Sequence, residues 1–372
     1  MKNKKVIVGL SGGVDSAVAV IKLLEQGYEV EGMFMRNWDS SLNNDILGNP
    51  HILDPVCPQE EDYMDALKTA DILGIKLHRV DFVQEYWDRV FKHFLEEYKK
   101  NRTPNPDILC NSEIKFKAFL EKAFTMDADY IAMGHYARSI HTPKVQLLKG
   151  IDKNKDQSYF LCRLTKEQIA KSLFPLGDMQ KTEVREIAKK YKLNVATKKD
   201  STGVCFIGER NFKDFLMNYI PAKPGDIKTL DNQVIGRHNG LMYYTIGQRK
   251  GIGLGGSGEA FFVLGKDVQQ NILFVGRGAN QEYLYSNRAN IIDMNWLGDN
   301  KEDISCAVKF RYRSKDVECK LKWLDKSTVE VIYPLKAKAV TPGQAAVFYD
   351  GDVLLGGGTI DEVFMNLDKR RY

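Results

Sequence analysis

The sequence predicts an α/β protein with a doubly wound parallel sheet over residues 1–210, a small central domain over 211–275 and a C-terminal antiparallel β-barrel over 276–372. Three observations carry this reading. Short β-branched runs alternate with helical stretches as far as Met133. A boundary marked by Pro221, Pro224 and Gly225 leads into a glycine-dense stretch, Gly247–Gly256. Beyond Gly276 the chain becomes a series of short alternating segments separated by turn residues.

In order, Lys5–Leu10 (KVIVGL) has the apolar, β-branched character of a buried parallel strand. Ser16–Gln26 has helical periodicity, and Gly27 follows as its C′ residue. A second strand is expected near Glu29–Met35. Glu61–Leu73 is then a helix, with Met64, Leu67 and Ala70 expected on its inner face, and Lys76–Val80 is a third strand. Helices are expected over Val83–Lys100 and Ser112–Thr125, and Tyr130–Met133 is a fourth strand ending at Gly134-His135. In a sheet wound this way, ligands lie at the carboxyl ends of the strands. The later strands are expected at Cys306–Tyr312, Val317–Trp323, Thr328–Tyr333, Ala345–Tyr349 and Val353–Leu355.

Composition excludes several classes. The 372 residues carry 54 Lys+Arg against 49 Asp+Glu, a net +5, with 43% hydrophobic and 28% charged residues. That is an ordinary globular mixture, and no apolar run approaches the length needed to span a bilayer. The basic start is followed by too short an apolar run for a secretory signal, so a cytoplasmic protein is expected. Six cysteines (Cys57, Cys110, Cys162, Cys205, Cys306 and Cys319) are too scattered for a disulfide scaffold, and none forms a C-x-x-C pair. No protein-only metal site is expected.

Ser11-Gly-Gly-Val-Asp-Ser16 lies between the first strand and the first helix. Paired glycines allow a tight turn close to an anion, and the free N–H groups at the helix start point toward it. The loop has no lysine of the G-x-x-x-x-G-K-[ST] kind. It suits a nucleotide cleaved between its α- and β-phosphates, with the loop holding the departing pyrophosphate. Two cysteine loops stand out beside it. Asn105-Pro-Asp-Ile-Leu-Cys-Asn111 places Cys110 at a helix entrance with Asp107 three residues earlier, and Asp200-Ser-Thr-Gly-Val-Cys-Phe-Ile-Gly-Glu209 presents Cys205.

The loop SGGVDS resembles that of the ATP pyrophosphatase enzymes, whose fold is of the adenine nucleotide alpha hydrolase-like type. The wider set of motifs resembles the bacterial tRNA-specific 2-thiouridylases. It comprises NPDILCN, Gly134-His-Tyr-Ala137, Cys205-Phe-Ile-Gly-Glu209, Tyr244-Thr-Ile-Gly-Gln-Arg-Lys-Gly251 and Pro342-Gly-Gln-Ala-Ala-Val-Phe-Tyr349. The resemblance spans essentially the whole chain.

It implies ATP-dependent 2-thiolation of the wobble uridine of tRNA. The uracil C2 oxygen is adenylated, and a cysteine persulfide supplies the sulfur. ATP is the substrate, with Mg2+, and no prosthetic group is implied. By the resemblance Cys205 carries the persulfide, loaded by an upstream sulfur donor or relay protein. Cys110 then either attacks it to release sulfide or closes a transient Cys110–Cys205 disulfide. Asp107 serves as acid or base. Gly9, Leu10, Ser11, Gly12, Gly13, Val14, Asp15, Ser16, Met35 and Gly134 are expected to bind ATP, Gly134 by letting the nucleotide approach the fourth strand.

The same resemblance assigns Asn105, Pro106, Asp107, His135, Lys155, Asp156, Gln157, Arg311, Tyr312 and Gln344 to the target base and tRNA. The cation-rich stretches Lys181–Lys199 and Cys306–Trp323 suit a phosphate backbone. Alternation places Lys309, Arg311 and Arg313 on one strand face. The base must leave its stack to reach the thiols. Thr197–Glu209 is expected to rearrange when tRNA binds. Two other readings compete. An amide- or amidine-forming ligase of the ATP pyrophosphatase type explains the phosphate loop but leaves both cysteine loops idle. A non-catalytic RNA-binding module explains the cations but not the phosphate loop.

Overall fold

A computed structural model describes residues 3–49, 58–200, 211–255, 258–299 and 301–371. These fall into two compact units that interleave along the chain. The first comprises Met1–Phe91, Pro106–Asn218 and Asp352–Leu354, and the second comprises Lys92–Asn105, Tyr219–Gly351 and Leu355–Tyr372. Lys92–Asn105 packs with the later residues and not with the segments that flank it in sequence.

In the first unit the chain runs β1 (Lys5–Gly9), α1 (Val14–Glu25), β2 (Glu29–Arg36), α2 (Pro58–Leu73), β3 (Leu77–Asp81) and α3 (Val83–Tyr86). A π-helical turn, Trp87–Phe91, leads to α4 (Lys92–Lys99), which belongs to the second unit. The first unit resumes with α5 (Pro106–Leu109), a π-helical stretch Cys110–Ala118 and α6 (Phe119–Phe124). It continues through β4 (Tyr130–Ala132), the hairpin β5 (Ala137–Ile140) and β6 (Gln146–Lys149), α7 (Lys166–Ala170), β7 (Ser172–Leu173), α8 (Lys181–Lys190) and α9 (Phe212–Met217).

The sheet order is β3-β2-β1-β4-β7, with every neighbouring pair parallel. Its two faces are both buried, as a parallel sheet requires. Val6 and Val8 of β1 pack with Val18 and Ile21 of α1 and Val184 of α8, whereas Ile7 and Ile131, fully buried, lie outside that cluster. The chain leaves β1 toward β2 on one side and reaches β4 on the other. The carboxyl ends of β1 and β4 therefore form the switch point at which such sheets bind ligands.

Two helix expectations need correction. The helix containing Cys110 starts at Pro106, not near Ser112. Proline breaks a helix interior but suits its first turn, where its missing N–H has no intrahelical partner to lose. In α2 the inward positions are Ala66 and Ala70, flanked by Tyr63 and Leu73, and Met64 is exposed. Small residues bring α2 close to the sheet, so the correct stripe was the less hydrophobic one.

In the second unit β8 (Gly225–Lys228), β9 (Val234–His238), β10 (Phe262–Asp267) and β11 (Ile272–Gly276) form a sheet ordered β10-β11-β8-β9. Ile227, Val263, Leu273 and Val275 fill its core. Then follow β12 (Tyr285–Trp296), β13 (Ile304–Lys309), β14 (Val317–Trp323), β15 (Val329–Lys338), β16 (Ala345–Asp350), β17 (Val353–Met365) and the short β18 (Asp368–Lys369). The order β12-β15-β14-β13-β16-β17 closes because β12 pairs with both β15 and β17, giving the expected antiparallel barrel. Alternate residues such as Val308, Leu321, Val331 and Phe348 fill the interior. The ladder of β13 stops at Lys309, so Arg311 and Arg313 lie in a turn and not on the strand face that alternation suggested.

Candidate active site

The phosphate loop occupies the turn from β1 into α1. Gly12 has φ +73°, and a Cβ there would stand 2.1 Å from the carbonyl oxygen of Asp62. Backbone conformation and the close approach of α2 both require glycine. Ser16 ties the loop together: its hydroxyl donates to the Gly13 carbonyl at 3.0 Å and accepts the Ser11 N–H at 3.2 Å. No side chain caps the α1 N-terminus, leaving its first N–H groups to an anion.

At the strand end, a Cβ on Gly9 would meet Met133 Sδ at 2.5 Å and Met35 Cε at 3.6 Å. Gly9 thus lies beneath two methionines at the carboxyl edge of the sheet, an apolar shelf beside the loop. Gly134 lies against the start of α1. Its missing side chain makes room for α1, since a Cβ would stand 2.8 Å from Ser16 N and 2.9 Å from the Asp15 carbonyl carbon.

The loop carries no lysine of its own, but the fold brings two to it. Lys181 Nζ, at the start of α8, bonds both carboxylate oxygens of Asp15 at 2.7 and 2.8 Å, and it lies 2.8 Å from Asp200. Lys198 Nζ donates to the Gly12 carbonyl at 3.1 Å and pairs with Asp62 and Asp65 at 2.7 Å each. The sequence placed both lysines in an RNA-facing cationic stretch. Instead Lys181, Lys198 and Arg185 are turned inward, Arg185 onto Asp200 and the Ala196 and Lys198 carbonyls. Only an inward turn distinguishes them from Lys189 and Lys190, which are exposed, and spacing alone does not reveal it.

Asp200 gathers Lys155, Lys181 and Arg185. Burial pushes its carboxyl up, but the hydrogen bonds from Lys155 and Lys181 outweigh that and bring it down to about 2. Tyr136 donates to Asp15, and burial together with that carboxylate pushes its phenol well above the ordinary range. Gln157 holds Tyr136 from behind: its Oε1 accepts the Tyr136 N–H, and its own N–H reaches the Tyr136 carbonyl. Asp156 accepts from Gly150 N and Ser158 N. Lys155, Asp156 and Gln157, the residues expected to touch RNA, are thus tied to Asp200, Gly150, Ser158 and Tyr136.

Cys110 is buried at the start of the π-helical stretch, one turn beyond Pro106. Burial pushes the Asp107 carboxyl up, with Lys115 pulling part of the way back. His135 is driven well below its ordinary value by burial, and Lys115 adds to the effect. Both groups are thereby biased toward their neutral forms beside the same ammonium, an arrangement suited to proton exchange. In this part of the unit, His135 Nδ1 and Asn111 Oδ1 are buried with no hydrogen-bond partner among the described residues. Unmet polar atoms in a buried site are positions where a substrate completes the pattern. Asn111, Lys115 and Tyr136 escaped the sequence reading as individual site residues, although Asn111 and Tyr136 lie inside motifs it quoted.

In the second unit, Gln344 Nε2 donates to the Thr103 carbonyl at 2.7 Å, and the Thr103 N–H bonds the Pro342 carbonyl at 3.1 Å. Arg311 spends one guanidinium nitrogen on the Ile246 and Ala339 carbonyls and the Thr341 hydroxyl. Tyr312 lies half-buried in the turn after β13, and Asn105 is half-buried just before α5. Cys57 and Cys205, and with Cys205 the disulfide to Cys110, lie outside the described residues, as does most of Thr197–Glu209.

A doubly wound sheet with a lysine-free phosphate loop at its switch point, and a buried thiol three residues along a helix from a carboxyl of raised pKa, defines a nucleotide-dependent enzyme of the α/β class. A family model described as the tRNA methyl transferase HUP domain matches residues 4–209. Models described as its PRC-barrel domain and as an aminomethyltransferase β-barrel domain match residues 213–277 and 286–360. The tRNA-specific 2-thiouridylase MnmA of Acholeplasma laidlawii is 56% identical over 373 residues, covering 99% of each chain. That of Bacillus subtilis is 52% identical over 375 residues, covering 100% of this chain and 98% of its own. A 4-thiouridine synthetase–RNA complex with bound ATP aligns at 20% identity and a TM-score of 0.33, over 53% of this chain and 43% of that one, too distant to bear on the chemistry. The chain belongs to the tRNA-specific 2-thiouridylase family.

Proposed function

We propose that this protein is a tRNA-uridine 2-sulfurtransferase that thiolates the wobble uridine at the expense of ATP. The observation that carries the chemistry is the uncapped start of α1 behind Ser11–Ser16, a pyrophosphate cradle at the switch point of the sheet. The uracil C2 oxygen attacks the α-phosphorus of ATP, and pyrophosphate leaves into the loop. Lys181 and Lys198 exchange their carboxylate partners for phosphate oxygens, supplying the charge that the loop lacks. Met35 and Met133 offer an apolar surface for the adenine. Mg2+ would arrive on the phosphates and keep most of its waters, with Asp15 as the nearest carboxylate of the loop; it would neutralise charge on the departing pyrophosphate.

Sulfur then attacks C2 and AMP departs. In this reading Cys205 bears the terminal persulfide sulfur, delivered by a separate persulfide carrier protein. Cys110 attacks the inner sulfur of Cys205 and forms the Cys110–Cys205 disulfide as the persulfide bond breaks. This happens either before C2 is attacked, freeing sulfide as the nucleophile, or after the terminal sulfur has bonded C2, freeing the thiolated base. Asp107 takes up and returns the proton. His135 Nδ1 and Asn111 Oδ1 complete their hydrogen bonding on the flipped base. Asn105, Pro106, Lys155, Arg311, Tyr312 and Gln344 shape the surface on which tRNA lies. The chain works as three functional segments, 1–210, 211–275 and 276–372. Among the described residues no helix is long and apolar enough to cross a membrane, and we place the reaction in the cytoplasm with its tRNA and ATP.

The deciding experiment supplies labelled persulfide sulfur and tRNA with and without ATP. Label entering 2-thiouridine only with ATP, and lost in Cys110→Ala and Cys205→Ala, supports this reading. Pyrophosphate release that depends on ammonia instead of tRNA would replace it with the amide-forming ligase.

A further inference from the structure

Two cysteines that the reaction does not use face each other inside the barrel. Cys306 on β13 and Cys319 on β14 are register partners in an antiparallel pair, and their sulfurs lie 3.7 Å apart. Residues directly opposite in such a pair have Cα atoms about 4.5 or about 5.5 Å apart, depending on the hydrogen-bonding position. Both values fall inside the range of roughly 4.4–6.8 Å that a disulfide spans, so the register alone satisfies the backbone requirement. Side-chain rotation has only to bring the sulfurs together. Cys319 is 3% exposed among the core residues Val308 and Leu321, whereas Cys306 is half-buried and can be reached from solvent.

We propose that Cys306 and Cys319 form an oxidisable dithiol that peroxides convert to a cross-strand disulfide, stapling the β13–β14 hairpin. The Cys306 sulfur attacks the peroxide, breaking the O–O bond. It becomes a sulfenic acid as ROOH is reduced to ROH. The Cys319 sulfur then attacks the Cys306 sulfur, forming the S–S bond; the sulfenic oxygen leaves as water with the thiol proton. The hydrogen bond to Cys306 and then burial push the Cys319 thiol far above its ordinary value, so the more exposed partner reacts first. The bridge would enclose residues 307–318, which carry Lys309, Arg311, Tyr312, Arg313 and Lys315. That these cations meet RNA rests on the function proposed above; the cross-link does not.

The test treats the reduced full-length protein with a roughly tenfold excess of hydrogen peroxide, blocks remaining thiols and digests with trypsin without reductant. The expected product joins Glu302–Lys309 to Asp316–Lys320, two hydrogens lighter than the separate peptides and split by reductant. It should be absent from both Cys306→Ser and Cys319→Ala. Hydrogen exchange over residues 310–316 should slow severalfold in the oxidised wild type. Separate peptides with both thiols blocked, Cys306 carried on to sulfinic acid in the wild type, a link between two chains, or unchanged exchange in the linked protein would each overturn the proposal.

Discussion

The phenol of Tyr136 donates to Asp15 Oδ1 across 2.8 Å, joining the residue just before β5 to the first turn of α1 although 121 positions separate them. With Lys181 on both oxygens of the same carboxylate, Asp15 is held from two sides at the mouth of the phosphate loop. Tyr136→Phe keeps the ring and removes the donor. A hydrogen bond to a charged, partly buried group contributes about 1.5–3 kcal/mol. Pyrophosphate release should fall roughly tenfold or more, while tRNA affinity, measured by filter binding, stays within twofold. An equal loss of both would mean that the bond supports the whole unit and not the nucleotide step.

Gly134→Ala should act through α1. The added methyl would meet backbone atoms of Asp15 and Ser16, which cannot rotate away as a side chain can. A destabilisation of about 1–3 kcal/mol is expected, with loss of ATP-dependent turnover. Gly255→Ala is the comparison, because a Cβ there meets nothing within 4 Å. Denaturant midpoints of the two variants check the contrast; similar midpoints would contradict it.

Asp107 links stability to chemistry with a definite sign. Its carboxyl is raised above the ordinary 3.8 by burial, so the folded chain retains a proton that the unfolded chain has lost once pH exceeds that value. Burial therefore costs stability as pH rises through the window between the two values, and the full cost stands above the folded one. Asp107→Asn removes the charge. It should match or exceed the wild type in urea at pH 7 by about 1 kcal/mol, lose that advantage below about pH 4, and thiolate poorly. A variant that is less stable at pH 7 than at pH 4, relative to wild type, would refute this.

Lys266 offers the same logic in the second unit. It is 5% exposed, donates to the Asn101 carbonyl at 2.8 Å, and burial lowers it from 10.5 to about 7. Between those values the unfolded chain holds a proton that the folded chain has released, so stability rises with pH across the window and the penalty is complete below about 7. Lys266→Met should be more stable than wild type at pH 7 by on the order of 1–3 kcal/mol. The advantage should shrink toward pH 10. Thermal melts across that range read the outcome, and a constant difference would show that packing, not charge, governs the site.

What the sequence revealed and what it hid divide along physical lines. β1, α1 and the phosphate loop are local: a β-branched run, a glycine pair and a helical period each specify their own structure. The barrel strand β12 was missed because Asn287, Arg288, Asn290 and Asp293 blur its alternation, which the ladders to β15 and β17 override. The inward turn of Lys181 and Lys198 depends on carboxylates more than a hundred positions away, Asp15 and Asp62. Gln344 was picked out by its motif, but its grip on Thr103 is a long-range contact that no local pattern encodes. Charge type and motif are written in sequence; the direction in which a long side chain points is decided by tertiary partners.

The interleaving of the two units bears on how the chain is made. Lys92–Asn105 leaves the ribosome early, yet its partners near Pro342–Gln344 come last. At about 5–20 residues per second this segment waits roughly 10–50 s for them. During that interval the Thr103 and Pro104 carbonyls lack the Gln344 amide, and the stretch leading into the Cys110 helix is only partly fastened. A nascent chain stalled at Arg210 would thus contain every residue of the phosphate loop while Lys92–Asn105 still lacked its partners. Fragments ending there should be poor enzymes and good chaperone substrates, and neither unit could have been acquired as a single contiguous insertion.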